Sequence, residues 1–184
     1  MEYIDVLNEN GVRTGEILTR DEVHIGGGKW HRSVIAVLID TKNRIFMQQR
    51  SFKKDKFPGL WDLSVAAHVM SGEDAITALI REFNEEIGVI ISRNIQLRDC
   101  RFVSSFKNIH EYDNKKLGHV VEKGFYEFFV IFMDEKEFEF VPNDGEVEDA
   151  KWMSYFEILQ LQKEGKLHPR TEWISEIGAY INRI

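Results

Sequence analysis

The chain has 184 residues, 43% of them apolar and 30% charged, which suits one domain with a sizeable core and excludes a disordered chain. Its 24 Lys and Arg stand against 31 Asp and Glu, a net charge of −7, so neither a nucleic-acid polymer nor an anionic membrane is expected as a partner of the whole surface. Cys100 is the only cysteine, which rules out an intramolecular disulfide and a four-cysteine zinc centre and fits a reducing, cytoplasmic setting. The longest apolar runs, Val34 to Ile39 and Phe128 to Met133, fall far short of the roughly 20 residues that span a bilayer, and the acidic N-terminus lacks the basic start of a secretory signal.

In chain order, Glu2 to Asn8 predicts a short strand, followed by turns around Asn8 to Gly11 and at Thr14-Gly15. Gly26 to Gly28 is a loop. Ser33 to Ile39 and Ile45 to Gln49, separated by a turn at Asp40 to Asn43, predict a hairpin. Lys53 to Lys56 is a polar loop closed by Phe57-Pro58-Gly59, and Trp61 to Met70 reads as extended chain. Ile76, Leu79, Ile80, Phe83 and Ile87 recur at spacings of three and four, which predicts a helix stopped by Gly88. Ile95 to Phe106 and Val120 to Met133 predict strands, with an exposed polar loop from Lys107 to Lys116 between them. Val147 to Met153 predicts a last strand, and helices follow at Tyr155 to Lys163 and Arg170 to Asn182. Without a repeat or a linker in the chain, this order indicates a single α/β layered domain over residues 1–184.

The helix at 76–87 carries the clearest chemistry. Glu82, Glu85 and Glu86 fall beside its apolar arc, close enough to repel one another by a few tenths of a kcal/mol per pair. Such a face is either simply solvated or gathered around a cation, and hard divalent ions such as Mg²⁺ take carboxylate oxygens together with substrate phosphates.

The stretch Ala67 to Val89, AHVMSGEDAITALIREFNEEIGV, resembles the Nudix box, G-x5-E-x7-R-E-U-x-E-E-x-G-U with U a bulky aliphatic residue. Glu73, Arg81, Glu82, Glu85, Glu86, Gly88 and Val89 stand in register; Phe83 fills the first U position, and Ala67 replaces the opening glycine. The resemblance implies an α/β/α sandwich with a mixed sheet and the hydrolysis of a diphosphate linked to another group. It implies that Glu82, Glu85, Glu86 and the carbonyl of Ala67 hold Mg²⁺ or Mn²⁺, braced by Arg81 and Glu73. Glu85 is the candidate base, with Arg81 also assigned to the catalytic set. Some family members recruit a further acid from outside the box, here Glu122 or Glu127, each of which could equally face solvent. Alanine at 67 raises the question of whether the loop there keeps its backbone conformation.

A wider resemblance joins His24, His31, Arg50 and the segment FPGLWDLSVAAH from Phe57 to His68 to the isopentenyl-diphosphate isomerase branch and its hydrolase relatives. In the isomerases, two histidines seven apart and a third beside the box bind a metal; His24, His31 and His68 occupy those positions. The isomerases also need a cysteine where this chain has Ala66, and a second glutamate two residues after the position of Glu122, where it has Gly124. Both departures point to a hydrolase on an isomerase-like scaffold, in which the histidines are either inherited, hydrogen-bonding scaffold or retained metal ligands. Arg50 and Lys53 are the candidate phosphate contacts, from a stretch of Lys42, Arg44, Arg50, Lys53, Lys54 and Lys56 that could otherwise be a solvated loop. Trp30, Trp61, Phe106 and Tyr126 could stack on a base or belong to the core.

The implied function is Mg²⁺- or Mn²⁺-dependent hydrolysis of a nucleoside diphosphate, free or linked to a second group. Its alternatives are a non-nucleotide isoprenoid or cofactor diphosphate, or a ligand-binding module without turnover. The partner is a small molecule, and a homodimer is left open. The segment Asp134 to Asp149, eight acids and one lysine, has no assigned role.

Overall fold

The computed structural model describes residues 1–87, 100–133 and 145–181. Its centre is the strand β3 (Trp30–Ile39), which has six successive buried apolar residues, Val34 to Ile39. A strand apolar on both faces must be covered on both. β3 pairs antiparallel with β6 (Val65–His68) on one side and parallel with β8 (Gly118–Phe132) on the other, so the sheet is mixed. β7 (Cys100–Asn114) runs antiparallel outside β8. The hairpin of β1 (Tyr3–Leu7) and β2 (Arg13–Thr19) joins through Leu7 opposite Trp30. β4 (Ile45–Arg50) meets β3 at Ile45 and extends the sheet to β5 (Trp61–Asp62) and β9 (Val147–Met153).

Helices cover the two faces separately. On one, α2 (Ala75–Glu82) packs Ala75, Ala78 and Leu79, with Phe83 just beyond its end, against Val34, Ala36, Leu38, Val65 and Phe129. On the other, α3 (Tyr155–Lys163) and α4 (Glu172–Ile181) seat Ile158, Trp173, Ile174 and Ile177 on Ile35, Val37, Met47 and Phe128. This is the α/β/α sandwich. Each full burial of such a side chain contributes about 1.5–3 kcal/mol. No helix among the described residues is long and apolar enough to cross a membrane.

Three expectations need correction. The turn at Thr14-Gly15 is instead strand β2, followed by α1 (Arg20–His24), a single turn of helix held by a capping box between Thr19 and Glu22. β2 is nearly all exposed and α1 buries only Val23 and His24, so neither carried an apolar period to read. The polar stretch from Lys107 is no loop: β7 continues to Asn114, alternating outward and half-buried residues along β8. Of its inward members, His110 and Tyr112 line a cavity rather than core, and Asn108 donates to Glu172. Finally, the α-helix ends at Glu82 and continues as a π-helical turn, Phe83–Ile87. Its apolar face is set by Ala75, Ala78 and Leu79 rather than by Ile80. Gly88, Val89 and the start of the strand expected at Ile95 lie outside the described residues, as does the acidic segment up to Asp144.

Candidate active site

The π-helical turn decides how the carboxylates are presented. Widening the helix after Glu82 changes the angle between that residue and the pair Glu85 and Glu86, a distortion common where helices carry function. Arg81 organises the group. Its guanidinium donates from Nε to Glu73 Oε1 at 2.9 Å, from Nη1 to Glu82 Oε2 at 2.8 Å and from Nη2 to the His68 carbonyl at 3.0 Å, and lies 3.7 Å from Glu85. Glu73 in turn accepts from the Met70 amide at 3.0 Å. The brace therefore ties the helix to the strand end that carries Ala67 and His68. Ala67 sits in β6 with no positive φ, so extended backbone delivers it to the cavity and no glycine is needed.

Glu82, Glu85 and Glu86 line one cavity of about 430 Å³ together with Arg20, Arg50, Lys54, Lys56 and Arg170. Glu86 accepts from Gln48 Nε2 at 2.7 Å. Burial first, then the neighbouring charge of Glu86, pushes the Glu82 carboxyl up to about 8; burial likewise raises Glu86. Carboxylates crowded in this way discharge by taking protons or a cation. The sign follows from linkage: a carboxyl whose folded value exceeds its ordinary 4.5 destabilises the metal-free fold progressively as pH rises from about 4.5 to about 8. Metal-free protein is therefore expected to lose thermal stability over that interval, and the increase in Tm on adding Mg²⁺ to grow with pH. Melting curves at pH 6, 7 and 8 with and without Mg²⁺ check this; a Mg²⁺ effect independent of pH would contradict it.

The cationic side of the cavity differs from the sequence expectation. Arg50 does face the cavity, with its Nε donating to the Lys56 carbonyl at 3.1 Å and its guanidinium 3.8 Å from Asp62. Lys53 is exposed and off the cavity, because the loop after β4 turns Lys54 and Lys56 inward instead. Arg44 pairs with Asp40 at the β3–β4 turn. Lys54 contacts Glu146, and burial lowers Lys56 to about 8. Arg20, Arg170, Asp62 and Gln48 were not singled out from sequence; Gln48 alternates with buried Met47 on β4, and that alternation was the one signal available for it.

The two outside acids separate cleanly. Glu127 lies on the opposite side of the sheet, bonded to Arg32 Nε at 3.0 Å beside a groove containing Phe102 and Phe125, so it takes no part in this cavity. The reason is strand alternation: Glu127 is five positions after Glu122 on the same strand, an odd offset that points it to the other face. Glu122 does line the cavity and accepts from Tyr126 Oη at 2.8 Å. Burial alone would raise it, but His68, Arg170, Lys56 and His24 outweigh that and hold it well below the carboxylate range. Of the four aromatic residues considered, Trp61 and Tyr126 are core, Phe106 stacks on Tyr126 at 5.5 Å, and Trp30 packs on Phe125. The rings that reach the cavity are Phe57, His68, His110, Tyr112 and His168.

The three histidines gather into one cluster. His24 from the end of α1, His31 from β3 and His68 from β6 bring their ring centroids within 5.1–5.2 Å of one another, and their ligand nitrogens lie within 4.8 Å. All three Nε2 atoms are buried without a hydrogen-bond partner. His31 Nδ1 donates to the Lys29 carbonyl at 2.9 Å, which leaves its Nε2 lone pair free to ligate. Burial lowers His24 to about 4 and depresses His31 and His68, so all three are neutral near pH 7, as metal ligation requires. With Glu122 beside them, the residues fit a divalent ion with mixed nitrogen and oxygen ligands.

The model for the NUDIX domain matches residues 29–174, most of the chain. The chain belongs to the Nudix family. An uncharacterised Nudix hydrolase of Listeria monocytogenes is 28% identical over 169 residues, covering 92% of this chain and 89% of that one. Isopentenyl-diphosphate Delta-isomerase 1 of Photorhabdus laumondii is 29% identical over 134 residues, covering 73% and 70%. Nudix hydrolase 3 of Arabidopsis thaliana is 37% identical over 94 residues, but this chain spans only 12% of its length. The Nudix fold itself is shared with DR0079 of Deinococcus radiodurans, at a TM-score of 0.71 and 21% identity over 96% of this chain and 99% of the other. Against the isomerase reading stands Gly124: a Cβ there would come within 2.4 Å of the Tyr126 ring, so this packing has no room for a glutamate two residues after Glu122. Ala66, which lines the cavity, offers no thiol.

Proposed function

We propose that this Nudix protein hydrolyses a phosphoanhydride bond of a nucleoside diphosphate, free or linked to a second group, using Mg²⁺ or Mn²⁺ held by Glu82, Glu85, Glu86 and the Ala67 carbonyl. The observation that carries this reading is the cavity in which those glutamates, braced through Arg81, face Arg50, Lys54 and Lys56. A divalent cation there supplies charge neutralisation of the diphosphate and a lowered pKa for water. The chain's own groups do the rest. Arg50 and the two lysines hold phosphate oxygens, and Arg81 keeps Glu82 and Glu73 from rotating away. Glu85, the most exposed of the three, is placed to take the proton from the attacking water. A cytoplasmic location, with this chain as one unit, is part of the same reading.

A panel of nucleoside diphosphates, nucleotide sugars, isopentenyl diphosphate and inorganic pyrophosphate, each with Mg²⁺ and read as released phosphate, tests it. Turnover confined to isopentenyl diphosphate would sink the nucleotide assignment. No turnover on any member would favour a binding module.

A second reading, a non-nucleotide diphosphate as substrate, draws on the histidine cluster, which the glutamate site does not use. The cluster would hold a borderline ion such as Mn²⁺ or Zn²⁺ through His24, His31, His68 and Glu122. Protein loaded with Co²⁺ is expected to develop a visible ligand-field band that His31→Gln reduces; an unchanged spectrum in the variant would discard the cluster as a metal centre.

A further inference from the structure

His168 takes no part in the chemistry above, yet its surroundings fix both its position and its proton. The chain before it lies along β5: the Trp61 amide donates to the Lys166 carbonyl at 2.9 Å, and the His168 amide donates to the Trp61 carbonyl at 2.7 Å. After Pro169 the Arg170 amide turns back and donates to His168 Nδ1 at 3.1 Å. Trp173, almost wholly buried, holds that turn from the other side through Nε1, which donates to the Arg170 carbonyl at 3.0 Å. The Phe57 ring packs across the imidazole at 4.6 Å and 76°, which limits its rotation. A ring nitrogen that accepts carries no proton, so the proton of this imidazole sits on Nε2. Nε2 makes no hydrogen bond among the described residues and is not sealed from the cavity that the ring lines.

The charges around the ring limit what this N–H can meet. Burial lowers His168 to about 4; Asp62 and Glu122 pull the other way, and the guanidinium groups of Arg170 and Arg50 add to the lowering. Asp62 lies 3.8 Å from Arg50 and 3.5 Å from Arg170, so one buried carboxylate gathers the imidazole and both guanidinium groups. Arg50 is the side chain already assigned to phosphate oxygens, and a donor edge beside two cations is matched by an anionic acceptor. We propose that His168 is a further substrate contact of this site: as a neutral imidazole it donates from Nε2 to one oxygen of the bound diphosphate, and the Arg170 amide sets its tautomer. The inference rests on the diphosphate reading above. Lys54 and Lys56 supply charge from flexible stems, whereas a ring held at one angle marks a single oxygen. The ring gives a hydrogen bond and keeps its proton, so it is not the acid of the reaction.

Nitrogen NMR of uniformly ¹⁵N-labelled protein, with the His168 ring assigned from its own backbone, reads the proton directly. The probe is methylenediphosphonate with Mg²⁺, whose binding is followed in parallel by calorimetry. Free protein is expected to hold His168 as the Nε2–H tautomer at pH 6, 7 and 8, and the probe to move that proton downfield as it gains a charged acceptor. His168→Phe, which keeps a ring and removes the donor, should bind the probe about tenfold or more weakly. His168→Gln, whose side-chain amide donates from nearly the same place as Nε2, should recover most of that loss. An Nδ1–H or doubly protonated ring at these pH values, free or bound, overturns the proposal. So does an Nε2–H signal that stays put while calorimetry shows the probe bound; the diphosphate reading survives both results. If methylenediphosphonate fails to bind, both readings fall. The NMR comparison uses the unaltered protein, so it decides even if the variants fold poorly.

Discussion

Glu86→Gln should lower turnover by about 10²-fold or more and at the same time raise the Tm of the metal-free protein. Glutamine keeps the volume and can still bond to Gln48, but it removes one of the carboxylates that burial and mutual repulsion strain around Glu82. The same change deletes a cation ligand, so Mg²⁺ should no longer stabilise the variant as it does the parent. Glu85→Gln gives the contrasting result. Its side chain is 58% exposed, so the metal-free Tm should stay put while turnover falls by a similar factor. Phosphate release and melting curves, each with and without Mg²⁺, read both variants. Full activity in both, on every diphosphate tried, would remove the proposed centre.

Asp62→Asn should destabilise the fold by about 3–5 kcal/mol, the cost of leaving a buried charge without its partner. For a chain of this size that corresponds to a fall in Tm of roughly 6–20 °C. Asp62 is 3% exposed, accepts from the Leu63 amide at 2.9 Å and lies between Arg170 and Arg50. Burial would raise its carboxyl, but His168, Arg170 and Arg50 together hold it below the ordinary value. A depressed folded value means that its contribution is present above the unfolded value near 3.8 and is lost only as pH falls through the folded one. The variant's deficit should therefore persist across neutral and mildly acidic pH. An unchanged Tm at pH 7 would show that Arg170 is neutralised by some other group.

The residues legible in sequence are those whose chemistry repeats over short spacings. Glu73, Arg81, Glu82, Glu85 and Glu86 sit within fourteen residues; helical spacing sets the last four side by side, and Glu73, just before the helix, joins them through Arg81. The strands β3, β4, β8 and β9 and the helices α3 and α4 were visible for the same reason, as apolar runs bounded by turns. Lys53 was chosen over Lys54 because composition marks a basic loop without saying which lysines turn inward. Glu127 was retained beside Glu122 because the face of β8 that meets the cavity is set by its pairing with β3, not by the acids themselves.

What the sequence determined by itself is thus the helix carrying the carboxylates, the layered α/β core and the family. Local periodicity encodes the first two, and they survive whatever the loops do. Tertiary structure alone decided that His24, His31 and His68, drawn from three elements, bring their Nε2 atoms into one buried cluster. It also decided that Tyr112 on a polar strand and Arg170 near the C-terminus line the same cavity. Those residues are isolated polar positions at separations of tens of residues. Chain closure between them is secured by the burial of other side chains, so no pattern within reach of one another in the sequence records the contact.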